Sequence, residues 1–243
     1  MKKVFSSALG FSLLLALSST PALSQTSKDI LAKMIEAQGG AKAIQATRDT
    51  TLTGTIDLVQ YGMSGAITMY QKEPDKIRMD IEVMGMVITQ AYDGEIGWWV
   101  NPQTGTAEQM PDNMAQAIKR QALGNDALLN PEKVGVTYEF KGKEKVGDKE
   151  YLLLEQTLSD GHKTTMYIDP ESYLIYMTKG KTLGQAGVEV MAETVFGDYK
   201  KVGDLVVAHS ITSSQDGQEF MRMNITKVTF NSKLEDSFFK MSK

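Results

Sequence analysis

The stretch Lys76–Asn101, "KIRMDIEVMGMVITQAYDGEIGWWVN", decides the fold class. Ile77, Met79, Ile81 and Val83 alternate with Arg78, Asp80 and Glu82. A period of two places one set on each side of a half-buried strand, the habit of antiparallel sheets. Met84-Gly85 then leads into a second apolar run, "MVITQAY", at hairpin spacing. Asp93-Gly94 repeats the signal before "GWWVN". Trp98 and Trp99, the only two tryptophans, sit side by side in that third strand. Adjacent strand residues point to opposite faces, so the two cannot share one role.

The same rhythm extends outward. Leu52, Ile56 and Leu58 alternate with Thr53, Thr55 and Asp57, and Ile67 and Met69 continue the pattern after "YGMSG". Beyond residue 135, seven further strands are predicted, from "VTYEFKG" to "EFMRMNITKVTF", separated by turns such as Gly147-Asp148, Gly203-Asp204 and Asp216-Gly217. Two segments break the rhythm. Ile30, Leu31, Met34 and Ile35 recur with helical period, with Thr26 or Ser27 as cap and Gly39-Gly40 as terminator. "AKAIQA" adds a short second turn of helix. In "QMPDNMAQAIKRQAL", Met110, Met114, Ala117 and Ile118 form one helical face, with Pro111 near the start and Gly124 past the end. The prediction is a mainly β chain of eleven or twelve strands in one large antiparallel sheet or incomplete barrel, with helices over its open apolar side.

The N-terminus reads as a cleaved secretory signal over residues 1–24: Lys2 and Lys3, the apolar run Val4–Leu17, then small Ala22 and Ser24 before a cut at Gln25. The apolar core is shorter than the about 20 residues that a membrane span needs. With no cysteine in the chain, a lipid anchor on Cys, disulfides and thiolate metal sites are excluded. Residues 25–243 then form a single domain long enough for a sizeable core. Removing Lys2 and Lys3 takes the formal net charge from −4 to −6. That balance argues against nucleic acid and against stable binding to an anionic membrane.

Catalytic patterns are sparse. His162 and His209 lie in separate strands without metal-ligand spacing; the first is expected near a turn in solvent, the second partly buried and satisfied. No GxSxG elbow and no phosphate-binding glycine loop occurs. Asp80 and Glu82 form an outward pair, as surface charge does. No cofactor or metal is predicted. The positive signal is methionine, 15 in all. Met is flexible and polarizable, and it suits ordinary cores as well as cavities that accept varied apolar ligands. "EVMGMVI" also puts apolar residues at a hairpin tip, as at a cavity rim or partner site.

The run "EPDKIRMDIEVMGMVITQAYDGEIGWWVNPQTG" resembles the LolA-like periplasmic outer-membrane lipoprotein-sorting proteins, in its Pro, its Arg-bearing strand, its hairpin and its dGxxGW segment before an Asn-Pro turn. "MYIDPESYLIYMTK", "GDYKKVGDLVVAHSI" and "ITKVTFNSKLEDSFFKM" extend the likeness over nearly the whole mature chain. The resemblance implies a strongly bent antiparallel sheet forming a half-open β-barrel with helices as a lid over an apolar cavity. It implies a periplasmic, non-enzymatic carrier for an acylated lipoprotein or lipid, monomeric, in transient contact with a membrane or membrane-bound donors and acceptors. The family's basic residue after the Pro corresponds to Arg78, which alternation puts opposite Ile77 and Met79. The expected cavity wall is Leu52, Ile56, Ile67, Met69, Ile77, Met79, Ile81, Met86, Ile88 and Trp98, with Met114 and Ile118 from the lid; Trp99 is expected as outer support. The alternative is an interaction or sensor module on the same fold, its interior filled and its tips at Met84 and Trp99 binding a protein. An unrecognised hydrolase would need a polar cluster of perturbed ionisation inside the cavity.

Overall fold

The computed structural model describes residues 26–101, 103–184 and 188–242. The predicted signal, residues 1–24, lies outside the described residues.

The chain opens with α1 (Ser27–Ala37) and α2 (Ala41–Ala46). Thr26 and Asp29 form a reciprocal capping box at the start of α1: the Asp29 N–H donates to Thr26 Oγ1 at 3.2 Å, and the Thr26 N–H donates to Asp29 Oδ2 at 3.0 Å. Six strands follow: β1 (Asp49–Leu58), β2 (Met63–Lys72), β3 (Lys76–Val83), β4 (Met86–Tyr92), β5 (Gly97–Val100) and β6 (Ala107–Gln109). Then come α3 (Asp112–Gln121) and α4 (Asp126–Leu129). The remaining strands are β7 (Thr137–Val146), β8 (Lys149–Thr157), β9 (Lys163–Ile168), β10 (Ile175–Leu183), β11 (Glu189–Val202), β12 (Leu205–Gln215) and β13 (Gln218–Phe230). A 3-10 turn at Asp236–Phe239 closes the described chain.

All thirteen strands belong to one antiparallel sheet, in the order β6-β5-β4-β3-β2-β1-β13-β12-β11-β10-β9-β8-β7. The sheet does not close on itself; it is a bent, open barrel. The first and last strands meet in its middle, and two runs of hairpins extend from that seam. The thirteenth strand beyond the predicted count is β6, whose three residues are too short to show a period.

Each run carries its own helix on the inner face. Ile30 and Met34 of α1 pack on Leu152, Leu154 and Ile168. Ile118 of α3 packs on Ile77 and Tyr92, with Met79, Trp99 and Met114 beside them. Gly97 permits the approach of α3: a Cβ there would meet Ala115 Cα at 2.9 Å. A third cluster, Ile56, Ile67 and Met223 with Met69 and Ile81, fills the seam region. The outer face is also covered in places. Tyr151, Tyr167 and Met177 cluster there, and residues 231–239 lie across β1–β5, with Phe239 fully buried. Among the described residues, no helix is long and apolar enough to cross a membrane.

Candidate ligand cavity

A cavity of about 560 Å³ lies between the helices and the sheet. Its apolar wall comes from many elements: Met34 of α1, Ile44 of α2, Leu52 of β1, Leu128 of α4, Met166 of β9, Ile175 of β10, Phe196 of β11 and Phe230 of β13. Polar groups are interspersed, among them Gln71, Gln121, Tyr138, Gln156 and Tyr199. Several of these are already engaged. The Tyr138 hydroxyl donates to the Ala127 carbonyl at 3.0 Å and accepts from Gln156 at 2.8 Å. The Tyr199 hydroxyl donates to the Ile175 carbonyl at 2.6 Å, and burial pushes its pKa up to about 12. These phenols brace the wall and stay protonated at any physiological pH.

One part of the cavity wall is a polar knot. Both carboxylate oxygens of Glu73 accept from the Asn125 N–H, at 3.0 and 2.9 Å. The Asn125 side chain donates in turn to the carbonyls of Ile44 and Thr47. This joins the β2–β3 turn, the α3–α4 connection and the end of α2. Gly124 is required by the close approach, since a Cβ there would lie 2.3 Å from Glu73 Oε2 and the Pro74 carbonyl. Burial raises the Glu73 pKa, and the hydrogen bond from Asn125 only partly offsets that.

A second compartment of about 580 Å³ adjoins the first, sharing Arg120, Gln121, Gln156, Met166 and Phe196. It is more polar, lined by Thr164, Thr178, Thr194 and Ser213, and it reaches Thr182, Gln215 and Met221 at one end of the sheet. Helix α3 crosses above it. Arg120 of that helix donates through Nε to Asp160, in the β8–β9 turn, at 2.8 Å. The link latches the helix of one run of strands to the far run. Half-buried His162 sits beside it, its pKa lowered first by burial and then by the Arg120 charge.

The predicted wall is only partly the observed one. Leu52 lines the 560 Å³ cavity. Ile56, Ile67, Met69 and Ile81 are on the inner face but pack against Met223, Ile211 and Met221. Ile77, Met79, Met114 and Ile118 pack together under α3. Ile88 is half-buried further along β4, and Met86 is exposed at the hairpin tip. The two tryptophans are reversed from the expectation. Trp98 pairs with Ala91, which pairs with Arg78, so all three are on the outer face. Trp99 pairs with Gln90 opposite Met79 and joins the cluster under α3. Val100, two residues on, shares the outer face with Trp98. Arg78 faces outward, as alternation required; its guanidinium lies 4.5 Å from the Phe238 ring centroid.

Alternation missed Phe196 and Tyr199 as wall residues. Asp198, at φ 49°, is skipped by the ladder: Gly197 pairs with Ser210 and Tyr199 with Ala208. The register is the same on either side of this irregular residue, yet Phe196 and Tyr199, which strict alternation would separate, both line the cavity. "FGDY" carried a signal, because Gly inside a strand often marks a bend or a close approach. His209 is buried, with Nδ1 at 2.9 Å from the Val207 carbonyl. Among the described residues, no group of three or more His, Asp or Glu is placed to hold a metal ion.

Neither a family model nor a curated protein sequence matches the chain. Solved structures do. A LolA superfamily protein from Nitrosomonas europaea aligns with TM-score 0.59 and 12% identity, over 89% of this chain and 98% of that one. A DUF1329 family protein from Desulfovibrio piger aligns with TM-score 0.58 and 12% identity, over 88% and 97%. A domain from Vibrio parahaemolyticus, provisionally assigned as an outer membrane lipoprotein-sorting protein, aligns with TM-score 0.56 and 14% identity, over 87% and 94%. The likeness at these identities is one of architecture, and it is consistent across all three: the chain shares their fold, here a bent open sheet with helices on its inner face.

Proposed function

We propose that this protein is a periplasmic carrier that holds acyl chains of lipoproteins or other lipids in the helix-covered cavity. The observation that carries the reading is the about 560 Å³ space lined by Met34, Leu52, Met166, Ile175, Phe196 and Phe230. Its size is within the usual range for small-molecule sites. Burying acyl chain contributes about 0.8 kcal/mol per CH₂, so such a wall binds a lipid without any catalytic group. The adjoining compartment, with its Thr and Ser lining, suits the more polar end of the same ligand. The fold neighbours support the class of ligand through the sorting role assigned to one of them. An interaction module with a filled interior is disfavoured by the unfilled volume beside α1 and α4.

Native mass spectrometry of the protein purified from its own compartment tests the reading, together with titration of a fluorescent fatty acid. Copurified lipid or saturable fatty-acid binding is the expected result. The absence of both would overturn it.

A further inference from the structure

Seven large apolar side chains are exposed among the described residues: Val59, Tyr61, Met84, Met86, Val87, Val188 and Met191. All seven are at one end of the sheet. Val59 and Tyr61 form the β1–β2 connection. Met84 is the β3–β4 turn, and Met86 and Val87 start β4. Val188 and Met191 stand where β11 begins, opposite the end of β10. At the other end of the sheet the turns are polar, such as Gly147-Asp148 and Gly203-Asp204. A random scatter of exposed apolar residues would not choose one end.

Met84 adds an independent observation. It sits at φ 53°, followed by Gly85 at φ 78°, in a two-residue turn that favours Asn or Asp at the first position. An unbranched apolar side chain carries a steric cost in that conformation. Met84 is nonetheless 79% exposed, so it recovers little by packing within its own chain. The residue suits the turn poorly and suits something outside it.

The geometry points to a fluid, zwitterionic phospholipid bilayer as the occupant: this rim dips its hairpin tips into the membrane interface. The apolar points are on separate turns spread from β4 to β10, roughly 30 Å at ordinary strand spacing. The polar Asp216-Gly217 turn interrupts them. A protein partner needs a contiguous complementary patch of about 800 Å². A bilayer accepts separate apolar points at any lateral spacing. Tyr61, apolar in body and polar at its tip, fits the interfacial zone. Lys181 pairs with Glu189 and Arg222 with Glu219, and Glu82 opposite Val87 adds negative charge, so the rim offers no basic surplus and attachment does not depend on anionic lipid.

The rim lies beside the second compartment. Gln215 lines both the second compartment and a shallow depression shared by Gln60 and Val188. A lipid at this end of the molecule is therefore close to the compartment. Docking itself stands on the rim and does not require the carrier reading.

Flotation with phosphatidylcholine vesicles, at low and high salt, tests the proposal. The wild-type chain is expected to float with the vesicles at both salt concentrations. Combining Met84→Asn, Met86→Thr and Val87→Thr is expected to lower the bound fraction at least tenfold. Val59→Thr with Tyr61→Ser, on the neighbouring turn, gives a second, separately folded check. Wild-type protein that stays unbound, or variants that float equally well, would overturn the proposal. So would a concentration-dependent dimer abolished by the same substitutions, since the rim would then be a contact between copies. Leu52→Trp, which fills the cavity, should float like the wild type even where fatty-acid binding is lost. If Leu52→Trp abolishes flotation, vesicle binding belongs to the cavity and the rim proposal falls.

Discussion

The indole Nε1 of Trp98 donates to the carbonyl of Phe239 at 2.7 Å, joining residues 141 positions apart. Around this bond the C-terminal segment is clasped to the outer face. The Arg78 guanidinium lies over the Phe238 ring and donates to its carbonyl at 3.1 Å. Tyr70 meets the same ring edge-on at 4.7 Å. Buried Asp49 accepts from the backbone N–H groups of Ser232, Lys233 and Leu234. One tryptophan of the adjacent pair therefore holds the chain's end, and the other supports the helix over the inner face.

That division predicts unequal mutants. Trp98→Phe leaves the buried Phe239 carbonyl without its donor and should cost about 1–3 kcal/mol. Trp98→Ala adds a cavity and should cost about 3–5 kcal/mol. Trp99 is only half-buried, so Trp99→Ala should cost less while loosening α3. Urea unfolding measures all three; equal losses for the two alanine variants would contradict the assignment.

Asp49→Ala strips three backbone donors of their acceptor at once. The expected loss is about 3 kcal/mol or more, given the cost of unsatisfied buried groups. Limited proteolysis should then cut within residues 231–239 before any other site. Asp49→Asn should be nearly as damaging, because its NH₂ end would face backbone N–H groups.

Glu73 gives a pH signature. Burial raises its folded pKa above the ordinary 4.5, with Asp126 adding to the effect and the Asn125 hydrogen bond opposing it. A raised folded pKa means that the folded state binds the proton more tightly than the unfolded one. Its contribution to stability is fully present below 4.5 and is lost as pH rises through the folded value. Glu73→Gln should flatten that part of the stability–pH curve, as measured by denaturant titrations across the window. An unchanged slope would rule out Glu73 as its source.

The Arg120–Asp160 latch should be weak but readable. Both side chains are about one-third exposed, so the pair contributes roughly 0.2–1 kcal/mol. Arg120→Gln should speed hydrogen exchange in α3 about two- to fivefold while leaving α1 unchanged. Burial works against ionisation of Asp160, yet hydrogen bonds from the His162 N–H and Arg120 outweigh it and hold its pKa below 3.8. The latch therefore stays closed above 3.8 and opens only as pH falls through that lower folded value.

Leu52→Trp should reduce fatty-acid affinity at least tenfold by filling the cavity between β1 and the helices. Overpacking would cost about 1–3 kcal/mol. Thermal unfolding separates a filled cavity from a disrupted core.

Much of the architecture was legible because alternation repeats over so many strands. The cap of α1, the short α2 and the span of α3 were equally legible, since each carries local capping and turn chemistry. The phase of Trp98 was not: a four-residue strand alternates the same way whichever face is inward, and only pairing through Ala91 to Arg78 decides. Alternation also tells which face a residue is on without telling whether the space opposite is occupied. Ile56 and Ile67 meet Met223 and form solid core, whereas Leu52, on the same strand as Ile56, meets open volume. Phe196 and Tyr199 both reach that volume on either side of the irregular residue Asp198.

The pairing of β1 with β13 has a consequence for how the chain comes together. Thr226 Oγ1 donates to the Thr53 carbonyl across 173 positions, and the whole seam joins the two ends of the β region. Each run of neighbouring hairpins can form early from local contacts, but the seam cannot zip until the final strand is available. Non-local closure of this kind is slow. The late step joins two half-sheets, and α1, which precedes β1 yet packs on Leu152 and Ile168 of the other half, is placed by contacts also distant in sequence. Until then the cavity has only half its wall, so assembly of the seam and creation of the binding space are the same event.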